Sequence, residues 1–322
     1  MKTTHRGVLG LLLACSAFTA SAQSYPAKPV RFLVPYPPGA ALDFLARAIA
    51  PKLGDSLGVP VVIDNKAGAS GAIGSELLAR SAPDGYTVGL GNPSTHSLPV
   101  ALGKKLPYDP VKDFTPISVL VKNILCLVVN AQLPVRSVKE LVDYAKKNPG
   151  KVSFSSPGAG TSPHLIGELL NQIAGTDMVH IAYRGGGPAF GDLLSGEVPV
   201  AFAATATIMA HVKNGRVRPL AVFDDRRYRE LPDAPTGSEA FPGFVAKASW
   251  TGAFAPTGVP RAIVARLNAD MVKAVKAPDV VTLLETNGSE VLGTAPEDLK
   301  AFVDSDIELW TRVVRARDIH TD

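Results

Sequence analysis

The chain is poor in cysteine, and that scarcity excludes a good deal. Cys15 and Cys126 are the only two in 322 residues. Cys15 falls inside an apparent export signal, so the mature chain keeps Cys126 alone, within the apolar run ILCLVV. One cysteine forms no internal disulfide. With no charged neighbour in sequence to lower its pKa, it supports no thiol mechanism either. It reads as a buried small hydrophobe. The six histidines show no HxxxH pair or other tight ligand spacing, so neither a metal site nor a cofactor is expected. Charge is sparse as well: charged residues make up 19% of the chain and the net charge is +4. The basic residues are scattered, with no Lys/Arg block interleaved with aromatics, which argues against nucleic-acid binding. Past the N-terminus no apolar run is long enough to cross a bilayer.

Several enzyme signatures are missing too. PPGAALD lacks the GxxxxGK[ST] spacing and the lysine of a phosphate-binding loop. RGGGPAF (184–190) is glycine-rich after a strand but is not GxGxxG, and no GxSxG elbow occurs. Ser162 and His164 lie close in sequence, but no acid is evidently placed to orient the histidine, so a secreted hydrolase is disfavoured.

What is present begins with an export signal. Lys2, His5 and Arg6 precede the apolar core GVLGLLLA (7–14), and Ala20-Ser21-Ala22 offers a cleavage site. The mature protein is expected to start at Gln23. Leu12-Leu13-Ala14-Cys15 forms a loose lipobox, but Leu13 fits it poorly, so soluble export is preferred over a lipid anchor on Cys15.

Short apolar strands then alternate with amphipathic helices. VRFLVPY (30–36), PVVIDN (60–65) and TVGLGN (87–92) read as strands, followed by β-rich runs between 114 and 129. VSFSSP, MVHIAY, VPVAF, VRPLAVF and WTGAFAP continue the series, with helices between them and a helical C-terminal stretch. Alternation of this kind argues for an α/β architecture with parallel sheets. Crossings near 123–130 and 222–225 would give a first lobe of residues 23–123 plus 224–322, after a signal peptide of 1–22, and a second lobe of 124–223. Two hinge-crossing strands with a cleft between α/β lobes is the plan of proteins that close around a ligand.

The strand-end loops carry the candidate chemistry. In PYPPGAALDFLAR (35–47), Pro37 and Pro38 stop the strand. Gly39 permits positive φ. Ala40, Ala41 and Leu42 leave main-chain N–H groups uncovered at a helix N-terminus, where a carboxylate is favoured. A plain strand-to-helix turn capped by Asp43 is the other reading. GAGTSPHLIGELL (158–170) repeats the logic with Gly160, Thr161 and Ser162. His164 in the first turn reads as a neutral hydrogen-bond donor, or as a packed residue of a well-capped helix. Ser94 and Thr95 in GNPSTHSLP, and Thr205 in ATAT, occupy further strand ends. Ligands of open α/β sheets bind outside the carboxyl ends of the strands.

At this point the chain resembles the Bug family, the extracytoplasmic solute receptors of tripartite tricarboxylate transporters. The likeness runs through YPAKPVRFLVPYPPGAALDFLAR, VVIDNKAGASGAIGSELLARSAPDGYTVGLGNPSTH, LPYDPVKDFTPISVL and SFSSPGAGTSPHLIGELL. It continues through VHIAYRGGGPAFGDLLSGEVPVAF, RPLAVFDDRRYRELPDAPT and WTGAFAPTGVP. The resemblance implies a two-lobed type II (Venus-flytrap) periplasmic binding protein that captures a small organic carboxylate. It implies delivery to a membrane partner of one large and one small subunit, with the receptor itself a monomer. It assigns ligand contacts to Pro38, Gly39, Ala40, Ala41 and Leu42 and to Gly160, Thr161, Ser162 and His164. A receptor docking on a membrane histidine kinase would use the same cleft. The chain departs from the family where Ala40 replaces a second glycine and Ala41-Leu42 lacks a hydroxyl, which suggests an apolar or aromatic side to the ligand. Asp224 stands where relatives often carry Thr or Ser. It is expected to pair with Arg226 or Arg227, or else to accept from a ligand hydroxyl or amine.

Overall fold

A computed structural model describes residues 25–183, 186–246 and 248–319. The expected signal peptide, its cleavage point and Cys15 lie outside these residues. Eleven strands form two sheets among the described residues. β1 (Val30–Val34), β2 (Val61–Asn65), β3 (Thr87–Gly91) and β4 (Phe114–Asn123) belong to the first. The second contains β5 (Leu125–Asn130), β6 (Ser153–Ser156), β7 (Val179–Ala182), β8 (Val200–Ala204) and β9 (Val217–Phe223). β10 (Ser249–Pro256) and β11 (Ser289–Val291) return to the first. The orders are β11-β4-β10-β3-β1-β2 and β7-β6-β8-β5-β9. This is the two-lobed α/β architecture expected from the alternation of apolar runs and amphipathic stretches.

The sheets are mixed rather than wholly parallel, and the crossings explain why. β4 runs into β5 through Ile124 alone, so β5 enters the second lobe at the end where β4 left the first. It must therefore run against its neighbours, and it pairs antiparallel with β8 and β9. β10 enters the first lobe from the same side and pairs antiparallel with β3 and β4. Leu125 lies opposite Ala204 and Phe223, the last residues of β8 and β9. Gly252, near the start of β10, lies opposite Gly91, the last residue of β3. The parallel strands of both sheets thus aim their carboxyl ends at the crossover. Any loop leaving such an end in one lobe faces its counterparts in the other.

The second crossing falls later in the chain than the expected 222–225. Val222 bridges Thr236, and its N–H donates to the Pro235 carbonyl at 2.9 Å. Leu231 and Ala234 are buried with Cys126, Val128 and Phe190, and the Phe244 ring meets Phe223 edge-on at 5.0 Å. Residues 224–246 therefore stay with the second sheet, and the chain returns at Ser249. The correction has a simple cause: a Pro/Gly-rich segment still carries enough apolar residues to cover a sheet end.

A third connection is the helix Pro296–Arg317. Leu299 and Val303 pack with Trp250 and Phe254 of the first lobe, whereas Trp310, Val313 and Val314 join the core of Leu165, Leu169 and Leu127 in the second. Midway, buried Asp306 accepts from Trp250 Nε1 at 2.7 Å and from Ser97 Oγ at 3.2 Å. Arg317 Nε donates to Glu168 at 3.2 Å and ties the helix end to the second lobe. The helix assigned to the first lobe from sequence thus spans both.

The helix Ser162–Ala174 is seated on β6 through a glycine. A methyl group at Gly167 would stand 2.2 Å from the Phe154 ring, which is fully buried. Gly167→Ala is expected to lower the unfolding free energy by about 1–3 kcal/mol through overpacking. Urea denaturation followed by tryptophan fluorescence measures this; an unchanged midpoint would contradict the seating described.

Candidate functional site

The first candidate loop leaves β1 at Val34. Pro35, Pro37 and Pro38 withhold ladder donors, Gly39 turns the backbone with φ 84°, and Ala40 enters the helix Ala41–Leu57 from an extended conformation. Ala40 N–H is used by the Pro37 carbonyl at 3.2 Å, and Gly39 N–H donates to Asp43 Oδ2 at 2.8 Å. Two of the donors expected to be open are therefore already committed. Among the described residues, the N–H groups of Ala41, Leu42 and Asp43 have no protein acceptor. They are the first-turn orphans of the helix.

Asp43 is not a side-chain cap on this helix; it locks the loop. Its buried carboxylate accepts from Gly39, from Arg47 Nε at 2.8 Å and from Asn65 Nδ2 at 2.9 Å. The Arg47 bond, helped by Gly39 and Asn65, holds it well below the usual carboxylate range, at about 2, despite burial. The same pairing offsets a negative charge that would otherwise repel an anion at this terminus. Asn65 also donates to the Tyr36 carbonyl at 3.0 Å, and Tyr36 Oη reaches Asn92 Oδ1 at 3.2 Å. Tyr36 and Asn65 escape a sequence reading because each acts on a loop leaving a different strand. Their one signal is position, at or just beyond a strand's carboxyl end.

The second loop leaves β6 at Ser156. Gly158 and Gly160 both take positive φ, at 153° and 73°. Thr161 Oγ1 donates to the Gly158 carbonyl at 2.7 Å, so its hydroxyl shapes the loop. Ser162 is the first helical residue. Pro163 has no N–H, and among the described residues the N–H groups of Ser162 and His164 have no protein acceptor. Burial keeps His164 neutral, and its Nδ1 accepts from Gly160 N–H at 3.0 Å, a bond the sequence does not show, which leaves Nε2–H as the ring's donor. The proton then sits on Nε2, 4.0 Å from Glu168. The ring stacks on His180 at 3.8 Å, and His180 Nε2 meets Ser156 Oγ at 2.7 Å. Burial pulls His164 down to about 3, with the His180 ring adding to the effect, and burial pulls His180 down to about 4.

The remaining predicted residues take other places. Thr95 is fully buried; its hydroxyl meets Asn92 N–H at 3.0 Å and His96 Nδ1 at 2.8 Å, so it builds the turn after β3. Ser94 stays half-buried beside it. Thr205 is fully buried at the crossover, where its N–H donates to the Ile124 carbonyl at 2.9 Å. Asp224 is also at the crossover, but its partner is Lys122, at 2.7 Å. Arg226 pairs instead with Glu290, and Arg227 with Glu239. The expected pairing of Asp224 with either arginine is thus corrected: the end of β4 brings Lys122 to it from the other lobe. Cys126 is fully buried in β5, and burial pushes its thiol pKa up.

Two lobes joined by crossing strands, with open helix N-termini at the facing strand ends, define a solute-binding protein. The chain belongs to the tripartite tricarboxylate transporter receptor family, whose model matches residues 45–319. Protein BugT of Bordetella pertussis is 36% identical over 315 residues, covering 96% of this chain and 95% of BugT. MatC of Rhodopseudomonas palustris, solved with bound malate, superposes with a TM-score of 0.76 at 33% identity, covering 90% of this chain and all of MatC. R. palustris Rpa4515, solved with adipate, gives 0.80 at 33% identity, covering 92% and 99%. The family is one of periplasmic receptors.

The neutral histidines make stability depend on pH. In the unfolded chain His164 and His180 titrate near 6.5; in the fold they resist protonation until far lower pH. The unfolded state then binds more protons below pH 6.5, so stability is full above that value and falls as pH drops toward 4. Buried His96, held at about 3 by desolvation, adds to the same slope. Melting temperature should therefore decline steadily from pH 7 to 4. The decline should be shallower in His164→Asn, whose amide oxygen can still accept from Gly160. A profile unchanged by that substitution would contradict the assignment.

Proposed function

We propose that this receptor captures a small organic carboxylate in the cleft and hands it on without chemistry. The carboxylate sits on main-chain N–H groups of Ala41, Leu42 and Asp43 in one lobe and of Ser162 and His164 in the other. The Ser162 hydroxyl donates beside them, and closure about the crossing strands brings the two helix N-termini onto one ligand. Thr161, Gly160, Gly39 and Pro38 hold the loops in shape. The observation that carries this reading is the pair of orphaned first turns at facing strand ends, one in each lobe. The malate and adipate held by relatives belong to the same chemical class.

The energetics suffice. A charge-assisted hydrogen bond contributes about 1.5–3 kcal/mol net. A helix N-terminus adds roughly 0.3–2 kcal/mol for an anion in its first turn. Three or four such bonds, less the costs of ordering and closure, reach micromolar affinity at about −8 kcal/mol. The liganded receptor, as a monomer, then docks on a membrane transporter of one large and one small subunit.

Ala41 offers a clean test. It is the first helical residue, where proline is tolerated, and Ala40 before it has φ −72° and ψ 162°, a conformation that accepts a following proline. Ala41→Pro removes one N–H and leaves the helix intact. It should weaken binding of malate or adipate, whichever binds, by about tenfold or more, with an unchanged melting temperature for the unliganded protein. Ser162→Ala should weaken binding several-fold. Isothermal titration that finds both variants equal to the wild type would refute the assignment.

A further inference from the structure

We propose that the second lobe holds a pocket for an aromatic ring, so that the ligand favoured by this receptor is an aryl carboxylate. The inference rests on the capture reading above and narrows its ligand class. A cavity of about 200 Å³ opens at the carboxyl ends of β6 and β8, walled by Leu125, Pro157, Pro163, Phe190, Phe202 and Ala203. Gly186 and Thr207 also line it, each in the first turn of a helix, Gly186–Ser195 and Thr205–Lys213. None of the described residues lining it is charged.

Size and chemistry both select the occupant. Apolar cavities of about 150 Å³ stay dry and bind a single benzene ring. This one is in that class, too small for a long chain and too apolar for a second carboxylate. Its place relative to the anion site matters as much. Pro157 and Pro163 bracket the loop that presents the Ser162 and His164 N–H groups. A carboxylate on those donors, carrying its ring on the adjacent carbon, directs the ring toward the cavity. The first lobe exposes the methyl group of Ala41 at its open helix terminus, with no hydroxyl there to solvate a polar substituent, while Leu42 is buried in that lobe's core. Phe190 and Phe202 wall the cavity, so an aromatic occupant meets their rings.

The test is a titration of the full mature chain with benzoate and phenylacetate against succinate and adipate, in wild type, Ala203→Leu and Ala203→Val. Ala203 is half-buried on β8 beside Phe190, and a larger side chain there fills the cavity while every main-chain N–H of the anion site is retained. The wild type should bind at least one aryl acid about tenfold tighter than either aliphatic acid. Ala203→Leu should weaken aryl binding by at least about tenfold, Ala203→Val by less, and aliphatic binding should not change. The valine variant keeps the result readable if the leucine variant does not fold. Aliphatic acids binding as well as aryl acids, or losing as much in the variants, would overturn the ring pocket and leave the capture reading standing. No binding of any of the four acids to wild type would overturn both.

Discussion

Everything in this receptor depends on backbone donors that the fold cannot satisfy internally. The first turn of any α-helix leaves N–H groups without an intrahelical acceptor. Most proteins cap them with a side chain or leave them to water. Here neither helix that follows the key strand ends has a side-chain cap, and the cap residues are Ala40 and Thr161. Thr161 turns its hydroxyl to the Gly158 carbonyl instead. The two termini are kept open by loops whose own polar groups are consumed elsewhere.

Those loops are rigid for reasons that lie beneath them. Asp43 gathers Gly39, Arg47 and Asn65 around one carboxylate, while Tyr36 ties the first loop to Asn92. In the other lobe the stacked pair His164 and His180, with Ser156, braces the glycine-rich turn. The centre of each brace, Asp43 in one lobe and His164 with Ser156 in the other, is buried, where a hydrogen bond is strong and an orphaned group is costly. The strain of positive φ at Gly39, Gly158 and Gly160 falls on glycine, which bears it without penalty. Crossing strands then bring both termini to the same side of the hinge, and the helix Pro296–Arg317 spans the lobes as a further link.

The strand-loop-helix punctuation was legible because it is local. Proline stops, glycine turns and apolar runs are decided within a dozen residues, and the first and second loops lie where those signals placed them. What escaped was non-local. Asp224 finds Lys122, 102 residues away, because two strands cross beside each other. Segment 224–246 stays with the second sheet through scattered apolar residues that no periodicity marks. The C-terminal helix divides its apolar face between two cores. The strand Ser289–Val291 is three residues long, too short for any alternation to mark it between two helical stretches. Thr95 and Thr205 look like ligand hydroxyls in sequence, and only burial reveals that both lie inside the fold. The ring-sized cavity is likewise invisible in sequence, since its walls come from five separate segments.

The central claim is that main-chain amides, not cationic side chains, grip the ligand's carboxylate. Amide nitrogen–proton NMR during titration with a bound carboxylate tests it most directly. The N–H resonances of Ala41, Leu42, Ser162 and His164 should all move strongly downfield, with one shared saturation curve. Resonances that stay in place while arginine or lysine side-chain signals shift at saturation would contradict the account.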